Sequence, residues 1–158
     1  MIFHRFPVDY QMDSQDCGPA CLKIIAKHFG RYYSLQYLRD RCGITSQGIS
    51  LLDLSTGAES IGLRTLAIKC TLEDVINQVP FPAIWKDSHF IVVYHANKKY
   101  IWVSDPAKGR IKYTHEEFKK GWYQKGATNG VLLAIEPTID FNRSDVEKKL
   151  EKNSFISI

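Results

Sequence analysis

The chain has 158 residues, of which 44% are hydrophobic and 24% charged, with a formal net charge of +4. That is enough for one domain with a real core, in an ordinary globular composition. The mild basicity comes without a basic stripe or nucleic-acid-binding motif, no apolar run approaches the ~18 residues of a membrane span, and the start MIFHRFPVDY lacks the apolar stretch of a secretory signal.

The first predicted element follows the stretch QMDSQDCGPAC, which turns an irregular segment into a helix at Cys17. Pro19 falls in the first turn, where its missing N–H costs nothing. Ala20, Cys21, Ile24, Ile25, His28 and Phe29 share one face, and Gly30 stands where a C-terminal cap is usual. Ser34 caps a short helix through Leu35, Leu38 and Arg41, ended by Gly43. Ser50 caps another that carries Leu51, Leu54, Ala58 and Ile61. Arg64 to Cys70 reads as a strand, and Thr71 with Asp74 opens a helix through Val79.

Beyond it the pattern changes to short β-branched or aromatic runs: Ala83 to Lys86, Phe90 to Ala96, Tyr100 to Ser104, Arg110 to Tyr113 and Val131 to Ile135. Thr114 and Glu117 form a capping-box pattern for one late helix through Lys120. Helices first and a mostly antiparallel sheet second is an α+β order. From Asp140 the pattern dissolves into DFNRSDVEKKLEKNS, so the domain is expected over residues 1–137, with a charged tail or linker over 138–158.

Cys17 is the candidate nucleophile. A thiol at a helix start meets the positive end of the dipole and unpaired N–H groups. Gln11, six residues upstream, carries an amide that can donate to an oxyanion. His89 and Asp105 are candidates for base and orienter. A loop centred on Asn97, which tolerates the left-handed conformation, sets position 89 opposite 105 on one face of a hairpin. The other cysteines, Cys21, Cys42 and Cys70, read as small core hydrophobes, reduced because no export signal is present. His95 lies about 20 Å along the strand from His89 at ~3.3 Å per residue and reads as structural or exposed. Trp85, Trp102 and Trp122 read as core or groove residues.

The Gln11…Cys17-Gly18-Pro19-Ala20 stretch, His89 opening an apolar strand, and Asp105-Pro106-Ala107 resemble the bacteriocin-processing cysteine peptidases, over roughly residues 5–137. In that family these are the N-terminal peptidase domains of peptidase-containing ABC transporters. The resemblance implies a papain-like fold, with an N-terminal helical half packed on a C-terminal antiparallel sheet. It implies a catalytic Cys17, His89 and Asp105, with Gln11 in the oxyanion hole, and no cofactor or metal. Its expected substrate is the leader peptide of a bacteriocin or similar precursor, cut after a double-glycine-type motif. Its expected partners are transmembrane and ATP-binding domains, on the cytoplasmic side of the cell membrane. The tail from 138 would then lead toward a membrane helix.

Three other functions compete. A leader-binding domain without turnover would have the same fold and groove. A thiol redox protein would use Cys17 and Cys21, although three residues separate them and no βαβ strand precedes. Zinc binding by the same two thiols lacks a second ligand pair.

Overall fold

A computed structural model describes residues 5–77, 79–85 and 88–142. After a 3-10 turn at Ser14–Asp16, the helices α1 (Cys17–His28), α2 (Leu35–Cys42) and α3 (Leu51–Ser60) form the first half. The second half holds β1 (Leu63–Cys70), α4 (Leu72–Val75), β2 (Phe81–Trp85), β3 (His89–Ala96), β4 (Tyr100–Asp105), β5 (Gly109–Thr114), α5 (His115–Trp122), β6 (Gly130–Pro137) and α6 (Ile139–Asn142). The strands make one antiparallel sheet in the order β1-β6-β2-β3-β4-β5.

The caps act as expected. The side chains of Ser34, Ser50 and Thr114 accept the N–H groups of Tyr37, Asp53 and Glu117. Gly30 and Gly43 adopt positive φ, 95° and 66°, where α1 and α2 stop. Element boundaries differ from the sequence expectation by one to four residues. The helix opened by Thr71 ends at Val75 rather than Val79, β2 begins at Phe81, and β6 extends through Pro137. The α6 turn was expected to be patternless, yet Phe141 is fully buried and packs edge-on to Phe29. Residues 143–158 lie outside the described residues.

The sheet carries a core on each face. On one, Leu22, Ile24 and Ile25 of α1, Leu38 of α2 and Leu54 of α3 pack with Phe90, Val92 and Leu133. On the other, Phe118 and Trp122 of α5 pack with Phe81, Trp85, Ile91, Val93, Ile101 and Leu132. β3 is therefore buried on both sides. This explains why its sequence is a continuous apolar run and not an alternation.

The hairpin of β3 and β4 departs from the expected register. Asn97 is not left-handed; among the described residues Ser88 alone of the non-glycines has a positive φ, 57°. Instead the Asn97 Oδ1 accepts the N–H groups of Lys99 and Tyr100 at 2.8 and 2.7 Å and closes the turn with its side chain. Near the turn His95 lies opposite Trp102. Continued unchanged, that register would set Asp105 opposite Val92, on the face away from His89. A bulge between Val93 and His95 resets it, so that Val93 faces Val103 and Val92 faces Ser104. Asp105 then falls opposite Ile91, two residues from His89 and on the same face. The expected pairing of 89 with 105 is thus wrong by two residues, while the shared face holds because the error is even.

α5 approaches the sheet through Gly121. A Cβ there would collide with the Trp85 ring, which Tyr113 and Phe118 hold at 5.1 and 5.3 Å. Helix propensity favours Gly121→Ala by about 1 kcal/mol. Overpacking a ring that cannot move costs about 1–3 kcal/mol. The expected outcome is net destabilisation, read as a lowered urea midpoint at constant m-value.

Candidate active site

Cys17 is the first residue of α1, with Asp16 as N-cap. The residue is 7% exposed and its Sγ accepts the Phe90 N–H at 3.5 Å. α1 packs against β3, so the helix start is presented at the end of the strand where His89 stands. The Cys17 thiol lies near enough to His89 on one side to help raise its pKa. On the other, its Nε2 lies 2.7 Å from Asp105 Oδ1. The Asp105 side chain is 2% exposed.

Asp105 also starts the turn into β5. Its Oδ1 accepts the Ala107 N–H at 2.8 Å, its carbonyl accepts the Lys108 N–H at 3.1 Å, and Gly109 follows at φ 92°. One carboxylate thus builds the turn and orients the imidazole. Burial opposes the ionised carboxylate, but the hydrogen bonds from His89 and Ala107 outweigh it and lower its pKa. Burial likewise opposes a charged His89. The hydrogen bond to Asp105, then the neighbouring Cys17 thiol and the Asp105 charge, overcome this and raise its pKa to about 9. At neutral pH the imidazole is therefore protonated.

Gln11 reaches the same corner through its backbone, donating its N–H to the Pro106 carbonyl at 2.9 Å. Its side-chain Oε1 is buried with no hydrogen-bond partner among the described residues. All four predicted residues therefore meet around the β4–β5 turn and the start of α1. The remaining candidates have other tasks. Cys21 is fully buried, and burial first, then the charges of Cys17 and Asp105, push its thiol well above the ordinary value. Such a thiol is a poor half of a redox couple. Burial also pushes Cys42 up to about 12 and raises Cys70. His28 packs on Phe6 and Phe29, with its pKa lowered by burial. His95 packs on Trp102, and His115 Nε2 meets the Asn97 carbonyl at 2.7 Å. Trp85 and Trp122 are core residues. His4 lies outside the described residues.

Two features were not read from the sequence. The Phe90 N–H on the thiol depends on strand placement, which no spacing reveals. Asp16 is fully buried and its Oδ1 lies 3.2 Å from Arg39 Nε on α2. The available signal was the Asp13–Asp16 spacing, which forms a capping box in the 3-10 turn.

A helix-start thiol joined to an imidazole and then a carboxylate, on this α+β frame, defines the class of cysteine peptidases. The chain belongs to the Peptidase C39 family, whose profile matches residues 5–138. It is 34% identical over 94% of its length to the lactococcin-G-processing and transport ATP-binding protein LagD of Lactococcus lactis subsp. lactis, and covers 21% of that protein. It is 29% identical over 97% of its length to the colicin V secretion/processing ATP-binding protein CvaB of Escherichia coli, again covering 21%. The chain thus spans about one fifth of the length of these relatives.

Among solved structures, it is similar to a double glycine motif protease from an AMS/PCAT transporter in complex with the leader peptide. The TM-score is 0.77 at 28% identity, over 85% of this chain and 93% of that one. The peptidase domain of Streptococcus ComA, a bi-functional ABC transporter involved in a quorum-sensing pathway, gives 0.75 at 27% identity, over 85% and 100%.

A peptidase working through this centre would depend on the ionisation of His89. kcat/KM is expected to fall as pH rises through about 9, where His89 loses the proton needed by the leaving amine. Asp105→Asn removes the charge that helps hold this proton, so the alkaline limb moves to lower pH. A limb unmoved in Asp105→Asn would assign it to another group.

Proposed function

We propose that this domain is a cysteine endopeptidase that cuts the leader of a secreted peptide precursor after a double-glycine-type motif. The observation that carries the reading is the His89–Asp105 hydrogen bond set beside the Cys17 thiol at the start of α1. The Cys17 thiolate attacks the scissile carbonyl, and the carbonyl π electrons move onto oxygen. Gln11 and the Cys17 backbone N–H receive that oxyanion. The oxyanion collapses, the C–N bond breaks, and His89 passes its proton to the departing amine, leaving a thioester. Neutral His89 then takes a proton from water as the hydroxide adds to the thioester. Collapse releases the new carboxyl end of the leader and regenerates thiolate and imidazolium. Asp105 keeps the imidazole oriented throughout.

The relatives that this chain matches are named for processing and transport together. We assign it accordingly to a longer ABC exporter, working beside transmembrane and ATP-binding domains on the cytoplasmic side. Among the described residues no helix is long and apolar enough to cross a membrane.

Substrate selection needs more than the junction, because one methylene more or less gives only about 1–3 kcal/mol of discrimination. A groove of about 690 Å³ offers the second contact. Leu66 and Ile68 of β1 and Leu132 and Ala134 of β6 form its floor, with Val75, Pro80 and Phe81 beside them. It lies where α5 leaves the β1–β6 side of the sheet uncovered, and Leu66 is 64% exposed there. The lining is mainly aliphatic. An amphipathic leader helix with anchors at i, i+3, i+4 and i+7 suits such a surface.

Two experiments test this reading, with a synthetic leader ending Gly-Gly followed by a short cargo, and mass spectrometry of the products. Cys17→Ala is expected to abolish cleavage while retaining the far-UV spectrum and peptide binding; Gln11→Ala is expected to lower kcat by about 10²–10³-fold. Cleavage by Cys17→Ala at the parent rate would end the peptidase mechanism and favour a binding domain.

Leu66→Asp tests the groove. It removes an exposed apolar contact of about 1.5–3 kcal/mol, so KM for the full leader is expected to rise about tenfold or more. A short peptide carrying only the junction is expected to be cut equally by both forms. Equal loss on both peptides would place the leader elsewhere.

A further inference from the structure

The mechanism leaves one charged pair beside the nucleophile without a task. Asp16 immediately precedes Cys17, and its side chain has 0% exposure. Its Oδ2 accepts the Asp13 N–H at 3.1 Å. Its Oδ1 faces Arg39 Nε at 3.2 Å and has no hydrogen-bond partner among the described residues. Among the described residues Arg39 is the only cation paired with this carboxylate. Burying a carboxylate is costly, and a well-packed apolar pair of the same shape often serves stability as well or better. The position therefore calls for a role besides stability.

The role follows from what lies on either side. Five residues, Met12 to Asp16, join Gln11 to Cys17. Packing holds this link weakly, since Met12 is 83% exposed and Asp13 and Ser14 are exposed as well. Gln15 lies close to Gly48. At its Gln11 end the link is tied to Pro106 through the backbone. At the other end the 3-10 turn closes on itself through the Asp13 N–H and Asp16, and Asp16 ties the turn to α2 through Arg39.

We propose that the Asp16–Arg39 ion pair is a positioning device for the oxyanion side of the site. It anchors the 3-10 turn to α2, and thereby sets the Gln11 amide against the Cys17 N–H. The inference rests on the reading of Cys17 as nucleophile and Gln11 as oxyanion donor. Arg39 touches neither substrate nor thiol and acts only through the link. The approach of the amide to the developing oxyanion matters more than its approach to the ground-state carbonyl. Loosening the link therefore lowers kcat and leaves KM nearly unchanged.

The test uses the same leader peptide, with urea unfolding of each variant alongside. Arg39→Met is expected to lower kcat by about 10²-fold, the loss that a displacement near 1 Å can cause, with KM within about twofold of the parent. Arg39→Lys keeps the charge and is expected to recover part of kcat. Combined with Gln11→Ala, Arg39→Met is expected to cost less than about twofold more, because the donor that it positions is already gone. The double variant Asp16→Asn, Arg39→Met buries no lone charge. It is expected to fold with parental stability and still show the reduced kcat, so it carries the comparison if Arg39→Met does not fold.

Parental kcat in that double variant would reduce the pair to a structural role and overturn the proposal. So would fully additive losses of Gln11→Ala and Arg39→Met. Failure of the peptidase reading itself is visible separately, in Cys17→Ala that still cleaves. A silent Gln11→Ala overturns the oxyanion assignment and this inference together.

Discussion

The seating of the α1 N-terminus on β3 is the constraint on which the chemistry depends. The Phe90 N–H meets the Cys17 thiol at the point where the helix begins. Behind that contact Phe90 and Val92 pack into the same core as Leu22, Ile24 and Ile25. The core thus sets the distance between thiol and imidazole, and no flexible side chain has to. A helix rigidly packed along one face holds its first residue more firmly than a loop would. The same strand sends Ile91 and Val93 to the opposite core, so β3 is clamped from both sides. His89, at its first position, inherits that rigidity.

Charge is arranged with similar economy. Asp16 and Asp105 are both almost fully buried, and each meets a cation. Asp105 faces His89 and gains the Ala107 N–H; Asp16 faces Arg39 and the Asp13 N–H. Buried carboxylates without such partners would protonate or unfold the site. The two differ in consequence. The Asp105 charge stabilises the imidazolium that faces the thiol, whereas the Asp16 charge is turned away toward α2. A negative group on each side of a thiolate would repel it unless each were neutralised locally, and both are.

The groove on the other half of the sheet follows from the length of α5. Eight residues cover β2 to β5 but not β1 and the outer part of β6. Leu66 is left open and Ile68 and Ala134 only half-buried. One short helix therefore separates a sealed core from an open apolar surface on a single sheet face.

Much of this was legible in the chain. Ser34, Ser50 and Thr114 announce helix starts because their side chains satisfy N–H groups locally, and Gly30 and Gly43 announce stops because positive φ is cheap for glycine. The Cys17 helix start needed no distant information. Other features were not legible. The hairpin turn depends on the Asn97 side chain and not on a left-handed backbone, and Phe141 is buried in a core shared with residues of α1 and α3 far away in the chain. The bulge between Val93 and His95 is the sharpest case. It places Asp105 on the face of His89, and a strand's sequence does not show where its pairing slips by one residue. What the sequence by itself determined is the set of elements and the chemical identities at their ends, because caps, turns and periodicity act within a few residues. What only the tertiary structure decided is which ends meet: the thiol with Phe90, His89 with Asp105, Gln11 with Pro106, and Asp16 with Arg39. Those contacts arise from strand register and helix docking, which are properties of the whole packed core.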